Sequence, residues 1–339
     1  MDLACANNLI HDDFPAGSEA LAAATAYPSY RDTSPLHPPH TAESFDVLSH
    51  LGNLSPWRSV NHGLAATPEV PADCKIEQVQ LLHRHGARYP TTGSGPAELA
   101  VKLKSAVQPS GNLSFLADWT YKLGSEILTP FGRGQLFNLG TSFRVKYGAL
   151  LDEEMPGASA RRKPLFRTET QDRMYKSALN FAAGFFGIPY EDQYEQLVTI
   201  EWPDFNNTLS PYMTCHNADR RDLTLGPAKM AEWMSIYLTD ARKRLNTQLH
   251  GVELTLRDVF NMQLMCAYEM VALGGSSFCK LFTEDEWRGF EYAIDLQFYY
   301  EFSFGQPAQA ALGKGWVQEW LARVMHQPIS EFNSTTNAT

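Results

Sequence analysis

Arg84-His85-Gly86-Ala87-Arg88-Tyr89-Pro90 follows the largely apolar run Ile76-Glu77-Gln78-Val79-Gln80-Leu81-Leu82. That run reads as a strand. The chain thus delivers an imidazole, between two guanidiniums, into a turn made by Gly86 and closed by Pro90. The arrangement suits attack on a phosphate. Imidazole is a nucleophile, and two guanidinium forks neutralise the oxygens that would repel it. A lone histidine at a strand end is more often a structural residue. The spaced set R-H-G-x-R-x-P arises by chance in fewer than about one in ten thousand chains of this length at average composition, so the functional reading is preferred. His85 is the candidate nucleophile, and Arg84 and Arg88 are its candidate phosphate ligands.

Outward from this stretch, Thr129-Pro130-Phe131-Gly132 reads as a turn opening a helix, with Leu136, Leu139 and Phe143 on its apolar stripe. Pro164 to Arg167 is a short strand candidate. Asp172 is expected to cap a helix that buries Met174, Leu179, Phe181, Phe185 and Phe186 and ends at Gly187. Leu197 to Trp202 is expected as another strand. From Gly226 onward the spacing is helical over 227–248, 256–272, 283–302 and 313–326, with a capping box at Thr283 to Glu286. The aromatic stripe Trp287, Phe290, Tyr292, Phe298, Tyr299 and Tyr300 is expected in the core rather than as a ligand platform. The order is strand, helix, strand, helix, then a helical block. It predicts an α/β fold, a sheet domain carrying an α-helical lobe. The expected divisions are a disordered segment over 1–50, the α/β core over 51–204, a mainly helical lobe with return to the core over 205–327, and a disordered tail over 328–339.

The 339 residues suit two domains or one large domain with an insertion. Hydrophobic content is 44% and charged content 19%, within the globular range. No stretch reaches the roughly 18 apolar residues that a membrane span requires. A net charge of −10 excludes nucleic acid as an expected partner. It does not exclude phosphate, because a local arginine cluster can be positive on an acidic surface. Cys5, Cys74, Cys215, Cys266 and Cys279 show neither a C-x-x-C pair nor Cys/His ligand spacing, so no metal is expected. Glycosylation sequons stand at Asn53, Asn112, Asn206, Asn333 and Asn337, the first weakened by Pro56. They lean towards a secreted, extracellular or vacuolar protein, although residues 1–5 show no signal-peptide pattern.

With these motifs in order, the sequence resembles the histidine acid phosphatases, most closely their fungal phytase branch. The resemblance runs from about Leu51 to Ser330. It rests on Arg84 to Thr91, Leu128 to Gly132, Arg167-x4-Asp172-Arg173, Phe205-Asn206-Asn207-Thr208-Leu209, Phe278 to Trp287, and Gly313-Lys314-Gly315-Trp316-Val317 with Glu319 and Ala322-Arg323. It implies a phosphoglycerate-mutase-like sheet and an acid phosphomonoesterase working through a phosphohistidine at His85. It also implies that Arg84, Arg88 and Arg167 hold the phosphate oxygens, with Asp172 and Arg173 as a helix cap and an ion pair. The substrates implied are small phosphate monoesters, inositol phosphates among them, with no cofactor. Cys266 and Cys279 would form a disulfide. Cys74 and Cys215 would pair with cysteines of a C-terminal third that this sequence does not show.

Several departures bear on that expectation. Glu169 stands where the family carries a small residue and would set a negative charge near the phosphate if it turned inward. Leu54 replaces a tyrosine. No lysine occurs from Thr91 to Leu99, only Lys102 and Lys104 beyond, which predicts a broad monoesterase with weak phytate preference. The family's C-terminal His-Asp pair, whose aspartate protonates the leaving alcohol, has no counterpart after His85, and His11-Asp12 lies on the wrong side of the nucleophile. The sequence-level expectation is therefore a C-terminally truncated member. The alternatives are a non-catalytic binder of phosphate esters and a truncated gene product without function. The resemblance and the acidic surface together imply an acid optimum.

Overall fold

The computed structural model describes residues 45–57, 70–152, 163–218, 220 and 224–330. Helix α1 (Pro96–Leu103) begins at a proline in its first turn. Helix α2 (Pro130–Tyr147) is capped by Thr129, whose hydroxyl accepts from the Gly132 amide, with Pro130 opening the helix. Strand β1 (Leu165–Glu169), helix α3 (Asp172–Phe186) and strand β2 (Glu195–Thr199) form a strand–helix–strand unit with β1 and β2 parallel and Arg167 opposite Leu197. Helices α2 and α3 pack side by side. Gly140 allows this, because a Cβ there would stand 2.1 Å from the Phe181 carbonyl oxygen.

The lobe comprises α4 (Gly226–Tyr237), α5 (Thr239–Asn246), α6 (Leu256–Leu273), α7 (Glu284–Phe302) and α8 (Gln309–Met325). The helix expected over 227–248 is two helices, broken at Leu238. Helix α6 is buried continuously from Val259 to Val271, as expected of a helix that neighbours enclose on all sides. Capping boxes at Thr255/Asp258 and Thr283/Glu286 start α6 and α7. Trp287 and Phe290 lie in the core, whereas Tyr292, Phe298 and Tyr299 on the same helix are exposed. The aromatic stripe is thus only half core. Among the described residues, no helix is long and apolar enough to cross a membrane.

Three expectations change. Residues 76–82 enter no strand ladder, and Leu81 and Leu82 are exposed. A strand is defined by its hydrogen-bonded neighbour, and the described sheet is β1–β2 alone. Asp172 is the first residue of α3 and Gln171 holds the cap position. The folded body also starts before the expected boundary near residue 50. Val47–His50 and Gly52–Leu54 form 3-10 turns, and Leu48 and Leu51 insert into the helical core. His50 Nδ1 lies 2.5 Å from Glu291 Oε2 on α7, which fastens this strap to the lobe. Residues 1–44 and 331–339, with His11, Asp12, Asn333 and Asn337, lie outside the described residues.

Candidate active site

The turn that carries His85 is stapled to two helices. The Gly86 amide donates to Ser177 Oγ on α3 at 3.2 Å, and the Ala87 amide donates to Gln135 Oε1 on α2 at 2.8 Å. The Ala87 carbonyl accepts from both the amide and the hydroxyl of Thr129. Such crowding requires glycine at the start of α2: a Cβ on Gly132 would lie 1.9 Å from the Ala87 carbonyl oxygen. Beyond the turn, Arg88 forms a bridge with Leu128, and the Tyr89 amide donates to the Ile127 carbonyl. The motif's backbone is therefore held on both sides.

His85 Nδ1 lies 2.7 Å from the Gly86 carbonyl oxygen. A carbonyl can only accept, so the neutral ring carries its proton on Nδ1 and keeps a lone pair on Nε2. Burial, followed by the charges of Arg84, Arg88 and Arg173, outweighs the Gly86 bond and lowers the imidazole pKa to about 4. The ring is neutral at and above mildly acidic pH, the state in which a nucleophile is available.

Three guanidiniums converge on this ring. Arg84 Nη1 donates to the Asn53 carbonyl at 3.1 Å, tying it to the N-terminal strap. Arg88 Nη1 donates to the Tyr89 carbonyl at 2.8 Å, and its guanidinium also meets the Tyr268 hydroxyl of α6. Arg173, in the first turn of α3, donates from Nη1 to Glu126 Oε2 at 3.2 Å. Arg84 stays open to solvent on one side; partial desolvation, then the charges of Arg88 and Arg173, lowers its pKa. The Nε atoms of Arg88 and Arg173 are buried without a hydrogen-bond partner. Like charges held together with unsatisfied buried donors form a receptor for a compact oxyanion.

Arg167 is engaged elsewhere. Its Nη2 lies 2.7 Å from Glu319 Oε2 on α8, and His85 feels Arg173 instead. The resemblance implies that Arg167 holds phosphate and that Arg173 makes a structural ion pair; in the structure Arg167 pairs with Glu319, while Arg173 pairs with Glu126 and also acts on His85 by its charge. The signal that separates them lies in the elements. Arg167 is mid-strand, whereas Arg173 projects from a helix N-terminus, where anions are favoured.

Glu169 does not reach His85. It is buried against Asn207, whose Nδ2 donates to it at 2.8 Å, and burial raises its pKa. Cys266 and Cys279 form the expected disulfide, joining α6 to the 3-10 turn Ser277–Leu281. Cys74 is also disulfide-bonded, contrary to expectation, and Cys215 is free. Among the described residues, no group of three or more His, Cys, Asp or Glu side chains could hold a metal ion.

The family model of the histidine phosphatase superfamily, branch 2, matches residues 75–339. Phytase A of Aspergillus terreus is 33% identical over 316 residues, covering 88% of this chain and 66% of that protein. Phytase A of Aspergillus fumigatus is 33% identical over 310 residues, 86% of this chain and 64% of the relative. Phytase A of Penicillium oxalicum is 34% identical over 323 residues, with 88% and 66% covered. The crystal structure of the phytase from D. castellii superposes with a TM-score of 0.73 at 28% identity, covering 91% of this chain and 68% of that one. The chain thus spans about two thirds of the length of these relatives.

Proposed function

This chain belongs to branch 2 of the histidine phosphatase superfamily, and on that premise we propose that it hydrolyses phosphate monoesters through a phosphohistidine at His85. One observation carries the reading: a neutral imidazole, pinned through Nδ1, stands among three guanidiniums. Nε2 attacks phosphorus while Arg84, Arg88 and Arg173 neutralise the non-bridging oxygens. The N–P bond forms as the P–O ester bond breaks. The alcohol departs with that electron pair and takes up a proton from solvent. The ring gains positive charge in this step, and the Gly86 carbonyl holding Nδ1–H stabilises it. Water then attacks phosphorus, the N–P bond breaks, phosphate leaves and the neutral imidazole returns.

The test is rapid alkaline quench with a 32P-labelled aryl phosphate, because a phenolate leaves without a proton donor and so reports on His85 alone. A labelled adduct is expected on His85 and is lost in His85→Ala. Absence of the adduct in the unaltered protein overturns the reading. If that protein still binds inorganic phosphate, it is the non-catalytic binder considered above.

The relatives named above are phytases, so inositol phosphates fall within the substrate class we propose. The lysine-free stretch Thr91 to Leu99 supports weak preference for highly charged esters. The expected kcat/KM for phytate does not exceed that for a simple aryl phosphate; a ratio well above one contradicts this. We place the protein outside the cell, because Asn112 and Asn206 are exposed and disulfides are present. Secretory expression should give a product whose mass falls on glycosidase treatment, and an unchanged mass would count against that placement.

A further inference from the structure

The structure assigns to Glu126 the task of positioning Arg173 for phosphate, a role that rests on the phosphate site proposed at His85. Glu126 occupies φ 66°, the left-handed region that glycine favours and glutamate avoids. A residue persists there only where its surroundings over-determine it. The surroundings here are the nucleophile turn and α3. The Glu126 amide donates to the Pro90 carbonyl at 3.1 Å, immediately after the Arg84–Pro90 motif. Its Oε1 accepts from the Thr92 amide at 2.9 Å, and its Oε2 accepts from Arg173 Nη1 at 3.2 Å.

One side chain thus ties the segment leaving the motif to the third guanidinium. The bond occupies Nη1 of Arg173 and leaves the buried Nε without a protein partner. A planar fork held at one corner has its remaining donors fixed in direction. Without Glu126, Arg173 faces Arg84 without the carboxylate that offsets their repulsion, and its fork would swing away. The unfavourable backbone at 126 is consistent with selection of the carboxylate for this contact, because glycine would relieve the strain and lose the clamp.

The test compares the intact chain with Glu126→Gly and Glu126→Gln, measuring inorganic phosphate affinity by calorimetry, thermal midpoint, and the 15N shift of Arg173 Nε on phosphate addition. Glu126→Gly is expected to fold with an unchanged or higher midpoint, because glycine accepts this φ. It should nevertheless bind phosphate roughly tenfold or more weakly, the scale of a lost charged hydrogen bond. Glu126→Gln keeps an acceptor for Arg173 and should recover part of the affinity. In both variants the Arg173 Nε response should shrink. Coulomb's law alone predicts the opposite, since removing a negative charge near an anion site tightens binding. Equal or tighter phosphate binding in either variant therefore overturns the proposal. If Glu126→Gly loses its folding transition, Glu126→Gln decides on the same criterion. An intact chain that binds no phosphate overturns the site reading itself, and the role of Glu126 with it.

Discussion

Arg167 Nη2 lies 2.7 Å from Glu319 Oε2, joining the middle of β1 to α8 where both side chains are nearly closed to solvent. Thr208 donates to the other carboxylate oxygen at 2.7 Å. Burial alone would raise the Glu319 carboxyl pKa; the bonds from Arg167 and Thr208 outweigh it and hold the group below its ordinary value. Arg167→Ala leaves the buried Glu319 carboxylate with Thr208 and the longer 3.5 Å contact to Arg323 Nη2, and should cost about 2–3 kcal/mol of stability, seen as a lower urea midpoint. The pair Arg167→Met with Glu319→Leu should recover most of that loss, since an apolar pair needs no desolvation. Phosphate affinity of the double variant should match that of the unaltered chain. A clear loss would return Arg167 to the phosphate site.

His85 links acidity to stability. Its pKa in the folded protein is about 4, below the ordinary 6.5, so the folded state binds fewer protons than the unfolded state between those values. Its contribution is complete above pH 6.5 and is lost as pH falls through 4. The size is on the order of 3 kcal/mol. His85→Asn should remove this part of the acid sensitivity. Denaturation of both proteins at pH 7 and pH 4 checks it: the two should converge towards acid, and parallel losses would contradict the lowered pKa.

Glu169 has the opposite sign. Burial first, and the nearby Glu201, raise its carboxyl pKa in the folded protein. Such a group favours the folded state below the unfolded pKa, and that contribution disappears as pH rises through the folded value. Glu169→Gln should therefore stabilise the protein at pH 7, with the gain fading below about pH 4.5. A midpoint at pH 7 below that of the unaltered chain would refute the raised pKa.

Local chemistry made parts of the site legible early. The R-H-G-x-R-x-P spacing singled out His85, Arg84 and Arg88 as candidates because neighbours in sequence on one turn share one surroundings. Thr283 and Glu286 announced a helix start because a capping box closes over three residues. The choice between Arg167 and Arg173 was different. Six residues apart, they lie on either side of a strand-to-helix junction, and no rule of spacing says which guanidinium reaches His85. Glu126 was equally silent, since its signal is a backbone angle and contacts to Thr92 and Arg173. The strap at 45–55 straddles the end of the segment expected to be disordered, because Leu48 and Leu51 are buried by helices more than two hundred residues away.

The sequence by itself determined the candidate reactive group, the acidic composition that hosts a local basic cluster, and most helix starts, since each depends on atoms within a turn or two of chain. Tertiary structure alone decided which cations share the imidazole's space, which carboxylates are shut away, and that residues 76–82 gain no ladder partner. Those outcomes depend on distances between elements remote in sequence, and the free energy of a buried charge is set by whatever the fold places within a few ångströms of it.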